Sequence, residues 1–364
     1  MLNSRATSRS ILIKLILHDG IGSVLVAQLC KNGGYDRLLQ LPLLSASQII
    51  KQFCISERQA VLVHAALQED GLLEPHDVWC AANNVRTLLL MDDDYPELLR
   101  HLGAPPVVLW VRGELPRSGT ACALVGSRDA THYGKRVVQM LVPALVAQGI
   151  VTVSGGARGI DGWVHDETIK AGGKTLVVMG CGLAHTYPPE HADLFERVVA
   201  SGGALVSPFP PHTEPSRWSF PVRNRLIAGL ATACIVVQAA AKSGALITAS
   251  HALEENREVG AVPGPIDELV SAGCNTLLAH GARVIVDGQS AVELCGQTGH
   301  AMPAGASKEV VYGEVLALID RPQTLEELLE VYEGTPVELQ EKLFALQLAG
   351  NIRQNHAGQW VRCG

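Results

Sequence analysis

Between residues 105 and 290 the chain repeats one pattern. Short apolar runs stand at 107–111 (VVLWV), 121–125 (ACALV), 150–153 (IVTV), 175–179 (TLVVM), 204–206 (ALV), 233–237 (ACIVV), 259–262 (VGAV) and 282–286 (ARVIV). Apolar and polar residues do not alternate in them, so each reads as a strand buried on both faces. The segments 132–148, 160–172, 190–201, 222–231 and 244–256 are compatible with helices between those strands. Such alternation predicts an α/β fold: a parallel, Rossmann-like sheet extended beyond six strands, with helices on both faces. Ligands of such sheets sit outside the carboxyl ends of the strands.

The flanks read differently. Residues 8–80 lack strand-like alternation and predict helices. Within them HDGIGSVLVAQLCKNGG (18–34) sets a Gly-x-Gly turn, Gly20 and Gly22, before an apolar helix. That suits a small helical domain of the SAM or helix-hairpin-helix type, whose turn amides can meet a phosphate; it suits a plain tight turn equally well. MDDDYPELLRHLGAPPVVLWVRGEL (91–115) leads into the first strand. CGQTGHAMPAGASKE (295–309) is a Gly/Ala/Pro-containing linker. Short amphipathic helices follow it, then NIRQNHAGQWVR as a hairpin, the pattern of a winged helix. The predicted division is a helical domain over 1–85, the extended Rossmann-like domain over 86–295, a linker over 296–308 and a winged-helix-like domain over 309–364.

A length of 364 residues with 47% hydrophobic side chains allows two or three domains and a sizeable core. The apolar runs are too short to span a bilayer, and no small-residue cleavage site follows ILIKLIL (11–17), so a soluble cytoplasmic protein is expected. Nine cysteines stand singly without a Cys-x-x-Cys pair, which excludes a zinc ribbon and a dithiol redox motif. The net charge of −7 excludes a uniformly basic surface. Its distribution leaves room for a local basic site: residues 120–290 hold 13 basic and 14 acidic side chains, whereas 301–364 hold 5 and 9. In the middle region Arg217, Arg223 and Arg225 cluster against the single Glu214.

Five polar loops follow the predicted strands: VGSRDATHYG (125–134), SGGARGID (154–161), GCGLAHTYPPEH (180–191), SRWSFPVRNRLIAGL (216–230) and KSGALITASHAL (242–253). Four of the five offer small residues with Ser, Thr or Arg at a helix start, which is what anion binding by backbone amides needs. A dinucleotide fits poorly. The glycine spacing is not Gly-x-Gly-x-x-Gly, and 175–180 holds no carboxylate for a ribose. A Gly-x-x-x-x-Gly-Lys-Ser/Thr loop for a triphosphate is absent as well. Several anion sockets along one sheet edge suit a ligand with successive phosphates, as in a single-stranded nucleic acid. Phe220 beside Arg217, Arg223 and Arg225 adds a ring for a base next to guanidiniums for phosphates. The plainer reading of SFPVRNR is a buried Phe, a helix-starting Pro221 and a surface arginine pair.

VGSRDATHYG, SGGARGID with His165, GGKTLVVMGCGL with YPPEH, FPVRNRLIAGL, SGALITASHALEENREVGAVPG and SAGCNTLLAHGA occur in this order. Together they resemble the DprA/Smf family of DNA-processing proteins over about 105–290. The resemblance implies an extended Rossmann domain that binds single-stranded DNA, protects incoming DNA in natural transformation and loads the RecA recombinase. It implies a homodimer, no chemical reaction, no cofactor and no metal. Carried over by motif, the DNA-binding residues are Ser127, Arg128, Gly155, Gly156, Arg158, Gly159, Arg217, Phe220, Arg223, Asn224, Arg225, Ser243, Gly244 and Thr248. The chain departs from the family pattern at Val164, Pro208 and Gln238, the last two standing where the family carries carboxylates.

Asp161 and His165, four apart, share a helix face and could be an acid–base or metal pair. The reading preferred here is a clasp: an aspartate favoured by the helix N-terminus, with a histidine anchoring the turn. His185 and His191 match no ligand spacing and read as turn or surface residues. Glu254 and Glu255 read as a solvated helix end. The rival function is a Rossmann-like nucleotide-processing enzyme of the phosphoribohydrolase type. Its Pro-Gly-Gly-x-Gly-Thr loop is missing; AKSGALITASHALEE stands there instead.

Overall fold

In the computed structural model, which describes residues 2–116, 119–296, 315–332, 334–348, 352–355 and 359–362, the apolar runs join one nine-stranded sheet. Its strands are β1 (Val85–Leu89), β2 (Val108–Gly113), β3 (Ala121–Gly126), β4 (Val151–Ser154), β5 (Thr175–Val178), β6 (Ala204–Ser207), β7 (Ala233–Gln238), β8 (Glu258–Ala261) and β9 (Arg283–Val284). The order is β1-β2-β6-β5-β4-β3-β7-β8-β9. From β6 through β9 every neighbouring pair is parallel. The chain lays β3 to β6 outward in one direction, then returns to the other side of β3 with β7. That reversal opens a crevice at the carboxyl ends of β3 and β7, where doubly wound sheets bind their ligands.

The expectation of an all-parallel sheet fails at one edge. β2 pairs antiparallel with β6, and β1 antiparallel with β2. Both strands precede the first strand–helix–strand unit, so no crossover helix obliges them to run parallel. Gly113, at φ +101°, closes on the Gly203 backbone and leaves no room for a Cβ. That close approach seats the end of β2 beside β6. β1 lies in a stretch that the apolar pattern did not mark as a strand.

Helices α1 (Leu2–Leu17), α2 (Ser23–Leu38), α3 (Ala46–Phe53), α4 (Glu57–Gln68) and α5 (Leu73–Ala82) form the N-terminal segment. They do not close a core of their own. Leu12, Leu29, Ile49 and Phe53 bury together with Leu89, Val108 and Trp110 of the sheet edge. Trp110 Nε1 donates a 2.9 Å hydrogen bond to His76 Nε2 of α5. Beyond a one-turn helix α6 (Glu97–Arg100), the sheet is flanked by α7 (His132–Ala147), α8 (Ile160–Lys170), α9 (Ala192–Ala200), α10 (Ser219–Gly229), α11 (Gly244–Glu254), α12 (Ala272–Ala279) and α13 (Gly288–Leu294). One apolar core joins α6, α10, α11 and α12 to one face, and two others join α7, α8, α9 and α13 to the opposite face.

Met1–Thr298 is one compact unit and Gly299–Gly364 a second. In the second, Leu325–Val331 and Pro336–Leu348 are helical, and Ile352–Gln354 pairs antiparallel with Trp360–Arg362. Leu328, Leu339, Leu343, Ile352 and Trp360 bury together there. The linker expected at 296–308 lies, except for Gly296, outside the described residues. Among the described residues no helix is long and apolar enough to cross a membrane.

Candidate nucleic-acid interface

At the β3/β7 reversal three segments converge on a cleft of about 470 Å³. The loop after β3 contributes Ser127, Arg128 and Asp129; the start of α10 contributes Phe220 and Asn224, preceded by Arg217; the start of α11 contributes Gly244 and Thr248, preceded by Lys242 and Ser243. The first loop is pinned to β7. The Ser127 amide donates to the Gln238 carbonyl at 2.7 Å, and the Gln238 side chain accepts from the Thr131 amide at 2.9 Å. Ser127 Oγ accepts from the Asp129 amide at 3.1 Å. The amide of Arg128 finds no acceptor among the described residues. Ser243 caps α11, its Oγ accepting from the Ala245 amide, and exposed Gly244 supplies the helix's first N–H. Asn224 ties the two helix starts together, donating to the Gly244 carbonyl at 3.3 Å.

Charge in the cleft is lopsided. Arg128, Arg217 and Lys242 are exposed and form no ion pair among the described residues, against one exposed carboxylate, Asp129. The guanidinium of Arg128 lies over the Phe220 ring, 5.2 Å from its centroid, within cation–π range. Phe220 itself rests on Gly180, where a Cβ would collide with the ring, and packs against Tyr187 at 5.7 Å. Helix α10 starts three residues earlier than its apolar spacing predicts. Pro221 is tolerated there because it falls in the first turn, and Ser216 and Ser219 bond reciprocally around the entry.

Several residues expected to touch DNA stand elsewhere. Arg225 pairs with Glu255, just past the end of α11, at 2.5 and 3.0 Å, and does not line the cleft. Glu255, expected to be a solvated helix end, is thereby drawn into that pair. Arg158 turns outward to an ion pair with Glu190. Arg223 lines the cleft but is only 4% exposed; it donates to the Gly155 carbonyl and, at 2.8 Å, to the Val178 carbonyl. Burial lowers its pKa, a change opposed by the nearby charge of Asp161. The glycine turn is not an open socket either. The Gly155 amide is taken by Asp161 Oδ2 at 3.2 Å, and Arg223 and Asp161 leave no room for a Cβ at Gly155. Gly156 packs on Val177 and Phe195, and Gly159 on the carbonyls of Ser127 and Arg128. This turn braces the cleft from behind.

The match to known proteins is extensive. The sequence profile of the family described as DNA recombination-mediator protein A matches residues 86–296, more than half of the chain. The chain belongs to the DprA/Smf family. The DNA processing protein DprA of Bacillus subtilis is 42% identical over 203 residues, 55% of this chain and 68% of that protein. The matched stretches span 68%, 50% and 64% of the first three curated relatives' own lengths. The X-ray structure of DprA from Streptococcus pneumoniae superposes with a TM-score of 0.66 at 29% identity, over 79% of this chain and 97% of that one. A Helicobacter pylori DprA structure, described for its single-stranded DNA binding mode, gives 0.53 at 28% identity, over 59% and 97%.

In this DprA/Smf chain Asp161 closes the turn as expected, whereas His165 does not anchor the turn but reaches β5. Asp161 accepts from the amides of Gly155 and Ala157, and His165 Nδ1 meets Thr175 Oγ1 at 2.7 Å in the buried interior. His185 and His191 bond the backbone carbonyls of His212 and Gly156. Two residues escaped the sequence reading: Lys242, which lines the cleft, and Tyr187, which packs against Phe220. Both sit inside quoted motifs, KSG and TYPPEH, but neither carries a spacing that distinguishes it from a surface side chain. Burial, with the nearby charges of His191 and Arg223, pushes His165 down to about 3 from its ordinary 6.5. Between those values the unfolded chain takes up a proton that the folded chain refuses, so stability falls as pH drops through this window. Asp161, raised by burial, has the opposite slope. Denaturant melts at pH 7 and at pH 5 should therefore show a smaller acid loss in His165→Gln than in the parent; equal losses contradict the assignment.

Proposed function

We propose that this chain binds single-stranded DNA in the β3/β7 cleft, protects incoming DNA and passes the strand to a RecA recombinase during natural transformation. One observation carries the proposal: Arg128, Arg217 and Lys242, none in an ion pair among the described residues, line one cleft with the Phe220 ring, over which Arg128 lies. Cations left without internal partners suit phosphates, and a ring among them suits a base. The amides of Arg128 and Gly244 add neutral donors for the same phosphates. The Helicobacter pylori relative, described for its single-stranded DNA binding, supports the same reading. Binding rather than catalysis is proposed. Of the carboxylate and imidazole that could act as an acid–base pair, Asp161 is occupied in holding the turn and His165 is buried against Thr175 of β5.

Affinity then rests chiefly on phosphates and depends little on sequence. Arg128→Ala, Arg217→Ala and Lys242→Ala should each weaken binding to oligo-dT and reduce its salt slope by about one. Phe220→Ala should cost about 1–3 kcal/mol, and Arg225→Ala should leave affinity unchanged. Stimulation of RecA filament nucleation should fall in proportion. Fluorescence titration over a salt series checks this; full affinity in all four cleft variants contradicts it.

A homodimer belongs to the same proposal. Ile266 and Leu269, between β8 and α12, are 96% and 84% exposed, and Val284 and Val286 are exposed at the β9 sheet edge. Leu269→Glu should shift the protein to monomer in sedimentation velocity; a dimer that persists contradicts this surface.

A further inference from the structure

A second concavity, of about 600 Å³, lies across α10 from the cleft, between the helical segment and the α/β layer. Its walls include Trp79, Phe209 and His212, with Pro208, Pro210 and Val222. Trp79 and His212 meet edge to face with centroids 5.4 Å apart. Asp19 is the one carboxylate in the lining, and no lysine or arginine contributes to it. Such a groove offers planes and edges to a base, and little to a phosphate.

The loop that carries Phe209 and His212 is held firmly. The Gly182 amide donates to the Thr213 carbonyl at 2.8 Å, and the Ala184 amide to the Pro211 carbonyl at 2.9 Å. Gly182 packs so closely on the Pro210 and Pro211 carbonyls that a Cβ has no space. The groove is therefore built, with aromatic walls set in place by backbone bonds.

Helix α10 joins the two concavities. Phe220, Arg223 and Asn224 face the cleft, whereas Val222 faces the groove. Trp218, immediately before the helix and one turn from Val222, is 85% exposed. A bare indole between a cationic cleft and an aromatic groove has no packing role to explain it. A helix with its side chains is about 10–12 Å across, so three or four nucleotides at about 3.4 Å each bridge it.

We propose that the single strand does not end in the cleft: it passes over Trp218 at the start of α10 and seats a base in the groove against Trp79, Phe209 or His212. The proposal rests on the cleft reading above and extends it to the helical segment.

Oligo-dT from about 4 to about 20 nucleotides, spanning ordinary site sizes, separates the two readings when titrated against the full chain. In the parent protein affinity should keep rising once the cleft is filled. In Trp218→Ala, and in Trp79→Ala, the long oligonucleotides should lose roughly tenfold, as for one stacked base, and the shortest bound ones should lose nothing. Trp218 and Val222 are exposed, so Trp218→Ala and Val222→Asp decide the matter even where Trp79→Ala fails to fold. Photo-crosslinking with 5-iodouracil moved along the oligonucleotide should mark residues 73–82 or 208–213 from positions beyond the cleft. Identical length dependence in parent and variants, with crosslinks confined to the cleft segments, overturns the groove and leaves the cleft standing. Failure of the parent to bind any oligonucleotide overturns the cleft, and the groove with it.

Discussion

The interface depends on the return of the chain to the free side of β3. β3 and β7 pair in parallel, and the register shifts between Val125 and Gly126, at the carboxyl end of β3. Beyond that point the Gln238 carbonyl and side chain take over, holding Ser127 and Thr131. The loop that carries Arg128 is thereby suspended from a strand more than a hundred residues away. The start of α11 emerges from the same strand, β7. Both walls of the cleft are thus referred to one ladder, and a mobile pair of loops becomes a fixed opening.

Buried polar groups supply the second constraint. Arg223 spends its hydrogen bonds on the carbonyls of Gly155 and Val178, joining α10 to the carboxyl ends of β4 and β5. Asp161 closes the glycine turn from the opposite side. A buried cation and a buried carboxylate near one another offset part of each other's desolvation, although neither meets the other directly. The outcome is a division of labour among the arginines. Arg223, Arg225 and Arg158 hold structure or pair at the surface, and Arg128 and Arg217 stand exposed in the cleft with no ion pair among the described residues.

Much of the fold is legible in the sequence because strands buried on both faces must be mostly apolar, and β3 to β8 are. The antiparallel edge is not legible. β1 and β2 are set by packing against the helical segment through Trp110 and His76, a contact between residues 34 apart. The location of the cleft is legible too: strand ends, small residues and helix starts converge as the pattern implies. The roles of the individual arginines are not. Arg158 and Arg225 carry the same charge as Arg128, and what removes them from the cleft is a glutamate 32 or 30 residues further on. Nothing in local spacing announces such a partner. The glycine turn misleads for a similar reason. Its residues look free for phosphate until Asp161 folds back onto their amides.

Amide hydrogen exchange, followed with and without oligo-dT, tests the central claim most directly. If the strand is seated at the β3/β7 reversal, exchange should slow at the backbone of residues 126–130 and 243–246, and the Gly155–Gly159 turn should show little change because its amides are already engaged or packed. Protection concentrated at Gly155–Gly159 and the Arg158–Glu190 face, with none at the two loop segments, would contradict the account.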